Sequence, residues 1–281
     1  MKNIKHILIC GAGMMGKNIG YVFASNPDFQ VGLYDLYPTD VEAGIRTNTK
    51  QLLDKGVITE QELSDRLSRI SFTTDMDSDL VKNADFVIEA VFEDMKIKRE
   101  TFAKLEARCR PDTIFCTNSS VMSPSEISAE LKHRERFVGT HFWNPGHLIP
   151  LVEVVKSDAS SDEVAQTVME VLSSVGKEPV LCKKDVPGFI ANRMQHALWR
   201  EAISIVERGI ADAATVDKAV KYAFGLRLPQ LGPMENADMV GTDLTYNIHD
   251  YILKDLEDSH EPSPLPVSYT HLRAHETSQD L

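Results

Sequence analysis

The sequence predicts an open, doubly wound α/β sheet followed by a smaller all-α domain. Three observations carry that expectation. Short apolar runs alternate with stretches of helical period through the first two-thirds of the chain, the pattern of parallel strands joined by crossover helices. The first apolar run leads straight into a glycine-rich turn. Beyond the pair Pro187-Gly188 every periodic stretch is helical, so a boundary is expected there, with domains at 1–184 and 185–266.

Taken in order, Ile7-Leu8-Ile9-Cys10 is a continuous apolar run that fits a strand covered on both faces. Lys2 and Lys5 precede it, but the run is too short for the core of a signal peptide. Gly11-Ala12-Gly13-Met14-Met15-Gly16 follows, and Lys17 to Ser25 reads as a helix with Ile19, Val22 and Phe23 on one face. A second run, Gln30 to Tyr34, ends in Asp35, about 20 residues after the last of these glycines.

Each residue type has a physical reason. Gly11 permits the tight turn, Gly13 lets backbone approach a pyrophosphate, and Gly16 lets the helix pack close to the strand. The positive helix N-terminus receives the pyrophosphate, and Asp35 accepts bonds from the ribose hydroxyls while repelling a 2′-phosphate. Strand, turn, helix, strand and acid together make a Rossmann-type unit. NAD rather than NADP is the expected cofactor, with Gly11, Ala12, Gly13, Met14, Met15, Gly16 and Asp35 as its binding residues.

Residues 41–69 read as a charged helical hairpin turning at Gly56-Val57-Ile58-Thr59. Strands are expected at 85–92, 113–117, 136–142, 152–155 and 178–182, with helices at 94–108 and 162–175. A long helix over 189–208, stopped by Gly209, opens the second domain, and helices at 215–224, 233–239 and 242–256 follow.

Composition narrows the function. A chain of 281 residues with 30 Lys+Arg against 42 Asp+Glu has a net charge of −12, which argues against an extended nucleic-acid surface. No apolar run reaches the roughly 20 residues of a spanning helix, so no membrane role is expected. Cys10, Cys109, Cys116 and Cys182 show no CxxC spacing and suit reduced thiols in a cytoplasmic protein. His141 and His147 lack a third ligand at a supporting spacing, so no metal is expected.

His141 stands at the C-terminal end of a strand, where open α/β sheets bind ligands. Oxidising a secondary alcohol by hydride transfer needs a base for the hydroxyl proton, and neutral imidazole suits this near pH 7. The chain reverses at Asn144-Pro145-Gly146 and can return Glu153 beside that ring to fix its tautomer. Ser119 lies in a polar turn, where its plainest role is capping the next helix. Asn192, in the first turn of the long helix, offers an amide either to a substrate keto oxygen or to the helix terminus.

Four strings then carry a resemblance: residues 84–93 (Ala-Asp-Phe-Val-Ile-Glu-Ala-Val-Phe-Glu), His141-Phe142-Trp143-Asn144-Pro145, residues 150–155 (Pro-Leu-Val-Glu-Val-Val), and residues 187–193 (Pro-Gly-Phe-Ile-Ala-Asn-Arg). From residue 1 to roughly 265 the chain resembles the L-3-hydroxyacyl-CoA dehydrogenase family. The resemblance implies NAD-dependent oxidation of an L-3-hydroxyacyl-CoA, a His141–Glu153 dyad, and Ser119 bonded to substrate and nicotinamide ribose. It also implies cofactor contacts at Glu93 and Lys98, and a homodimer through the helical domain.

Three features depart from the family. Trp143 replaces the usual Phe, and the turn Gly146-His147-Leu148-Ile149-Pro150 differs beside the substrate. Gly225-Leu226-Arg227-Leu228-Pro229 resembles relatives that act on free hydroxy acids or sugar acids of L-gulonate or carnitine type. That alternative would use a cationic pocket, with Arg193, Arg200 and Arg227 as candidates. The stretch 267–281 has no periodicity and reads as a non-native tail, the natural chain continuing differently after Pro266. A non-catalytic NAD(H)-binding protein is the remaining alternative, and it has no need of the His141–Glu153 pair.

Overall fold

Strand β1 (His6–Cys10) forms where the sequence alternates its apolar side chains between two covered faces. Ile7 and Ile9 enter one core, with Ile19 and Phe23 of helix α1 (Met14–Phe23) and Phe86 and Ile88 of β4 (Phe86–Glu89). Leu8 and Cys10 enter the other, with Val87, Phe102, Leu105, Phe115 and Phe137. The computed structural model describes residues 4–265. The suspected tail at 267–281 lies outside them.

The chain divides into two units, Met1–Ile190 and Ala191–Leu281. The first holds an eight-stranded sheet in the order β3-β2-β1-β4-β5-β6-β7-β8. The remaining strands are β2 (Gln30–Tyr34), β3 (Ile70–Thr73), β5 (Ile114–Thr117), β6 (Phe137–Phe142), β7 (Leu151–Lys156) and β8 (Glu178–Cys182). β3 through β6 run parallel to their neighbours, β7 pairs antiparallel with β6, and β8 is parallel to β7. The order reverses between β1 and β4, a switch point whose strand C-termini border the ligand crevice of such sheets.

The helices of this unit are α2 (Val41–Asp54), α3 (Glu60–Leu67), α4 (Asp79–Lys82), α5 (Met95–Glu106), α6 (Pro124–Ile127) and α7 (Asp162–Ser173). Their starts follow local chemistry. Asp40, Asp94, Ser123 and Ser161 each accept a backbone N–H of the helix they precede, and Thr59 with Glu62 closes a capping box on α3.

Two expectations change. Residues 70–73, which the periodicity leaves unassigned, form the edge strand β3, short and only half-buried. The strand expected over 85–92 is confined to Phe86–Glu89, because the Val91 N–H turns back onto the Glu89 carboxylate and Phe92 is exposed.

Among the described residues, the helices of the second unit are α8 (Ala191–Glu207), α9 (Ala213–Tyr222), α10 (Pro233–Val240) and α11 (Thr242–Ile252). Helices α9, α10 and α11 bury none of their own residues. Among the described residues, no helix is long and apolar enough to cross a membrane. All four cysteines are free and buried, and burial pushes the Cys109 thiol up to about 12.

Candidate active site

The glycine turn leaves β1 at Gly11, whose φ is +109° and whose Cβ, if present, would lie 2.5 Å from the Ala90 carbonyl oxygen. A Cβ on Gly16 would strike the Gly11 carbonyl at 1.8 Å, so the helix can sit against the turn only with hydrogen there. Gly13 differs from both, since a Cβ there would meet nothing within 4 Å. It is the N-cap of α1, makes no side-chain cap, and no acidic residue stands in the first turn. The first amides of α1 therefore face an open cradle, the arrangement a diphosphate requires. Met14 is largely exposed beside this cradle, and Met15 packs under Gly146.

Asp35, after the end of β2, accepts the Ala12 N–H through Oδ2 (2.7 Å) and the Tyr37 N–H through Oδ1 (3.2 Å). The cradle, the uncapped helix and this carboxylate fit a dinucleotide.

His141 and Glu153 are cross-strand partners in the antiparallel β6–β7 register. Antiparallel pairing matters here. It brings Glu153, near the start of β7, to the sheet edge where β6 ends. His141 Nδ1 lies 2.8 Å from Glu153 Oε2, with the histidine side chain 7% exposed and the glutamate side chain fully buried. An ionised carboxylate only accepts, so the Nδ1 proton points at Glu153 and neutral His141 carries its lone pair on Nε2.

Two further donors fix Glu153. The Trp143 indole donates to Oε2 (3.3 Å) and the Ile190 N–H to Oε1 (2.9 Å). The Trp143 and Phe189 rings flank the imidazole, at centroid distances of 5.4 and 5.8 Å. Asn118 steadies the end of β6 by accepting the Phe142 N–H (3.0 Å), and Lys177 ties down the turn beyond it through the Gly146 and Ile149 carbonyls (2.6 and 2.7 Å).

Ser119 follows β5 and is 2% exposed. Its hydroxyl donates to Glu93 and accepts the Met122 N–H (2.9 Å). The cap of the following helix is Ser123 instead. Lys98 Nζ lies 3.0 Å from Glu93 and 2.8 Å from Glu89, a fully buried carboxylate that also accepts the Thr117 hydroxyl (2.7 Å). Burial works against the charged form of Glu93, but the Ser119 hydroxyl and the Lys98 ammonium outweigh it and hold its carboxyl below the usual range. Lys98 is only 1% exposed, so it meets the cleft through Glu93.

The structure thus brings together His141 with Glu153, and Ser119 with Glu93 and Lys98. Asn192 lies in the first turn of α8, in the second unit. Sequence reasoning missed Glu89, Thr117 and the Ile190 amide. An acid inside the apolar run 86–92 was the available signal for Glu89, since a buried charge demands a partner. Among the described residues no cluster of three or more His, Cys, Asp or Glu could hold a metal ion.

Residues 6–186 match the model of the 3-hydroxyacyl-CoA dehydrogenase NAD binding domain, and residues 188–279 match that of the 3-hydroxyacyl-CoA dehydrogenase C-terminal domain. The chain is 37% identical over 270 residues to a probable 3-hydroxybutyryl-CoA dehydrogenase of Bacillus subtilis, covering 95% of this chain and 92% of the relative. It is 32% identical over 269 residues to a 5-formyl-3-hydroxy-2-methylpyridine 4-carboxylate 5-dehydrogenase of Mesorhizobium japonicum, covering 95% and 86%. A crystal structure of an enzyme of that name, described as an NAD+ dependent dismutase, superposes with a TM-score of 0.84 over 96% of this chain and 86% of the other, at 32% identity. The chain therefore belongs to the 3-hydroxyacyl-CoA dehydrogenase family and is an NAD-dependent oxidoreductase acting on a CH–OH group.

Proposed function

We propose that the chain oxidises the hydroxyl of an L-3-hydroxyacyl-CoA to the ketone, with His141 as general base and Glu153 as its orienting partner. The observation that carries this reading is the buried 2.8 Å contact between His141 Nδ1 and Glu153 Oε2 at the edge of the sheet where the cradle lies. Bound NAD supplies the hydride acceptor. His141 Nε2 takes the hydroxyl proton as the C–H pair departs, and Glu153, already holding Nδ1, stabilises the imidazolium that results. In reduction the same proton returns.

The geometry refines two roles implied by the resemblance. With its proton committed to Glu93, Ser119 offers only a lone pair, which suits a ribose hydroxyl better than a keto oxygen. Lys98 serves the cofactor by holding Glu93. Asn192, in the first turn of α8, is the candidate amide for the substrate oxygen. A homodimer is supported by the exposed Tyr246, Ile248 and Tyr251 on α11, and a cytoplasmic setting by four buried cysteines with no disulfide among them.

A second reading, action on a free acid such as a hydroxy acid instead of a CoA thioester, is favoured by the similarity to an enzyme named as a dehydrogenase of a pyridine carboxylate. NADH consumption with acetoacetyl-CoA and with free acetoacetate separates the two. The first reading expects turnover with the thioester. Preference for the free acid moves the chain to the second, and NADH binding without turnover of either favours a non-catalytic role.

A further inference from the structure

Strand β4 ends in a carboxylate that the proposed proton transfer does not use. Glu89 is fully buried in an otherwise apolar strand. Its Oε1 accepts from Lys98 Nζ (2.8 Å) and the Val91 N–H (2.7 Å), and its Oε2 accepts from the Thr117 hydroxyl (2.7 Å). Burial pushes its pKa up, with Lys98, Thr117 and Val91 pulling against it. All three contacts are donors, the surroundings of an ionised carboxylate. Glu89, Lys98 and Glu93 therefore form a row of charges, negative, positive and negative, whose sum is −1. Glu93, at 38% exposure, is the member open to the cleft.

The strand order says what passes above that row. Asp35 stands at the end of β2, the glycine cradle at β1, Glu89 and Glu93 at and after the end of β4, Ser119 after β5 and His141 on β6. A dinucleotide with one ribose at Asp35 and its reacting ring at His141 must cross the ends of β4 and β5. This placement rests on the function proposed above. The reacting ring carries a positive charge only in the oxidised cofactor.

We propose that Glu89 is a positioning and specificity-determining residue: it fixes Lys98 beneath Glu93 and leaves the row net negative, which biases the site toward NAD+ over NADH. Without its charge, Lys98 and Glu93 cancel, and the site loses its means of telling a cationic ring from a neutral one. A purely structural role for Glu89 would weaken both forms alike.

The test is the ratio of dissociation constants for NAD+ and NADH, measured by calorimetry and by nicotinamide fluorescence on the full chain. Glu89→Gln is expected to weaken NAD+ relative to NADH by about fivefold, the effect of one partly screened charge several ångströms away. Thr117→Val, which removes a hydrogen bond and no charge, is expected to leave the ratio unchanged. The double variant E89Q/K98M restores a sum of −1 through Glu93 alone and is expected to restore the ratio. Should E89Q fail to fold, E89Q/K98M compared with E89Q/K98M/E93Q makes the same comparison of −1 with 0 without a lone buried charge. Equal weakening of both forms in E89Q, or a ratio that does not follow the charge sum, overturns the inference while leaving the proposed function intact. A wild-type chain that binds neither form overturns the cofactor placement itself, and the inference with it.

Discussion

Asp85 and Glu89 bracket β4, one at each end, and both carboxylates are buried. Asp85 accepts the Lys5 and His6 amides (both 2.8 Å) and pairs with Arg110. These contacts tie the entry of β1 to β4. Burial opposes the charge of Asp85, yet the two amides and Arg110 outweigh it and hold its carboxyl below the usual range. Glu89 also has three donors, but through Lys98 its connections lead to Glu93, Ser119 and the cleft. The same chemistry at opposite ends of one strand thus serves different purposes. At the N-terminal edge of the sheet a paired charge holds backbone to backbone. At the C-terminal edge it is relayed through side chains to where a ligand lies.

That division can be broken by substitution. The largest expected effect is at the C-terminal edge. His141→Asn places an amide nitrogen near the position of Nδ1, keeps a donor to Glu153 and removes the base, so turnover should fall about a thousandfold. NADH affinity and melting temperature should hold, and unchanged turnover would remove His141 from the chemistry. At the other edge, Asp85→Asn should cost about 3 kcal/mol of stability by stripping a buried carboxylate from Arg110 and two amides. Denaturant unfolding measures this, and cofactor affinity should stay put; an affinity loss without a stability loss would erase the contrast.

A smaller effect follows from Glu93. Its folded pKa lies below the ordinary value of 4.5, so its paired form contributes fully above that pH and is lost as pH falls through the lower folded value. NAD+ affinity should therefore hold from neutral pH down through 4.5 and decline only below it. A decline centred near pH 6.5 would point to a histidine instead.

Much of the C-terminal edge was legible in the sequence because backbone demands restrict residue choice. Gly11 and Gly16 are required by a left-handed turn and a carbonyl in van der Waals collision, and Asp35 by the end of a strand. The reversal at Asn144-Pro145-Gly146 made the His141–Glu153 pair readable before its register was known. The charge row was less legible. Glu93 and Lys98 are polar residues near a helix start, indistinguishable by spacing from surface charges, and their link to Glu89 depends on how α5 packs beside β4. The edge strand β3 was missed because four half-buried residues after a helix carry too little alternation to register as a strand.

Gly13 invites a different use. A Cβ at that position touches nothing in the fold, and Gly13 is the N-cap at the head of α1, where a diphosphate would sit. Folding and cofactor binding therefore part company at a single methyl group. The variant Gly13→Ala should melt where the parent melts while binding NADH about tenfold more weakly. A lineage could drift by that one substitution into a stable, silent protein with its catalytic pair still in place.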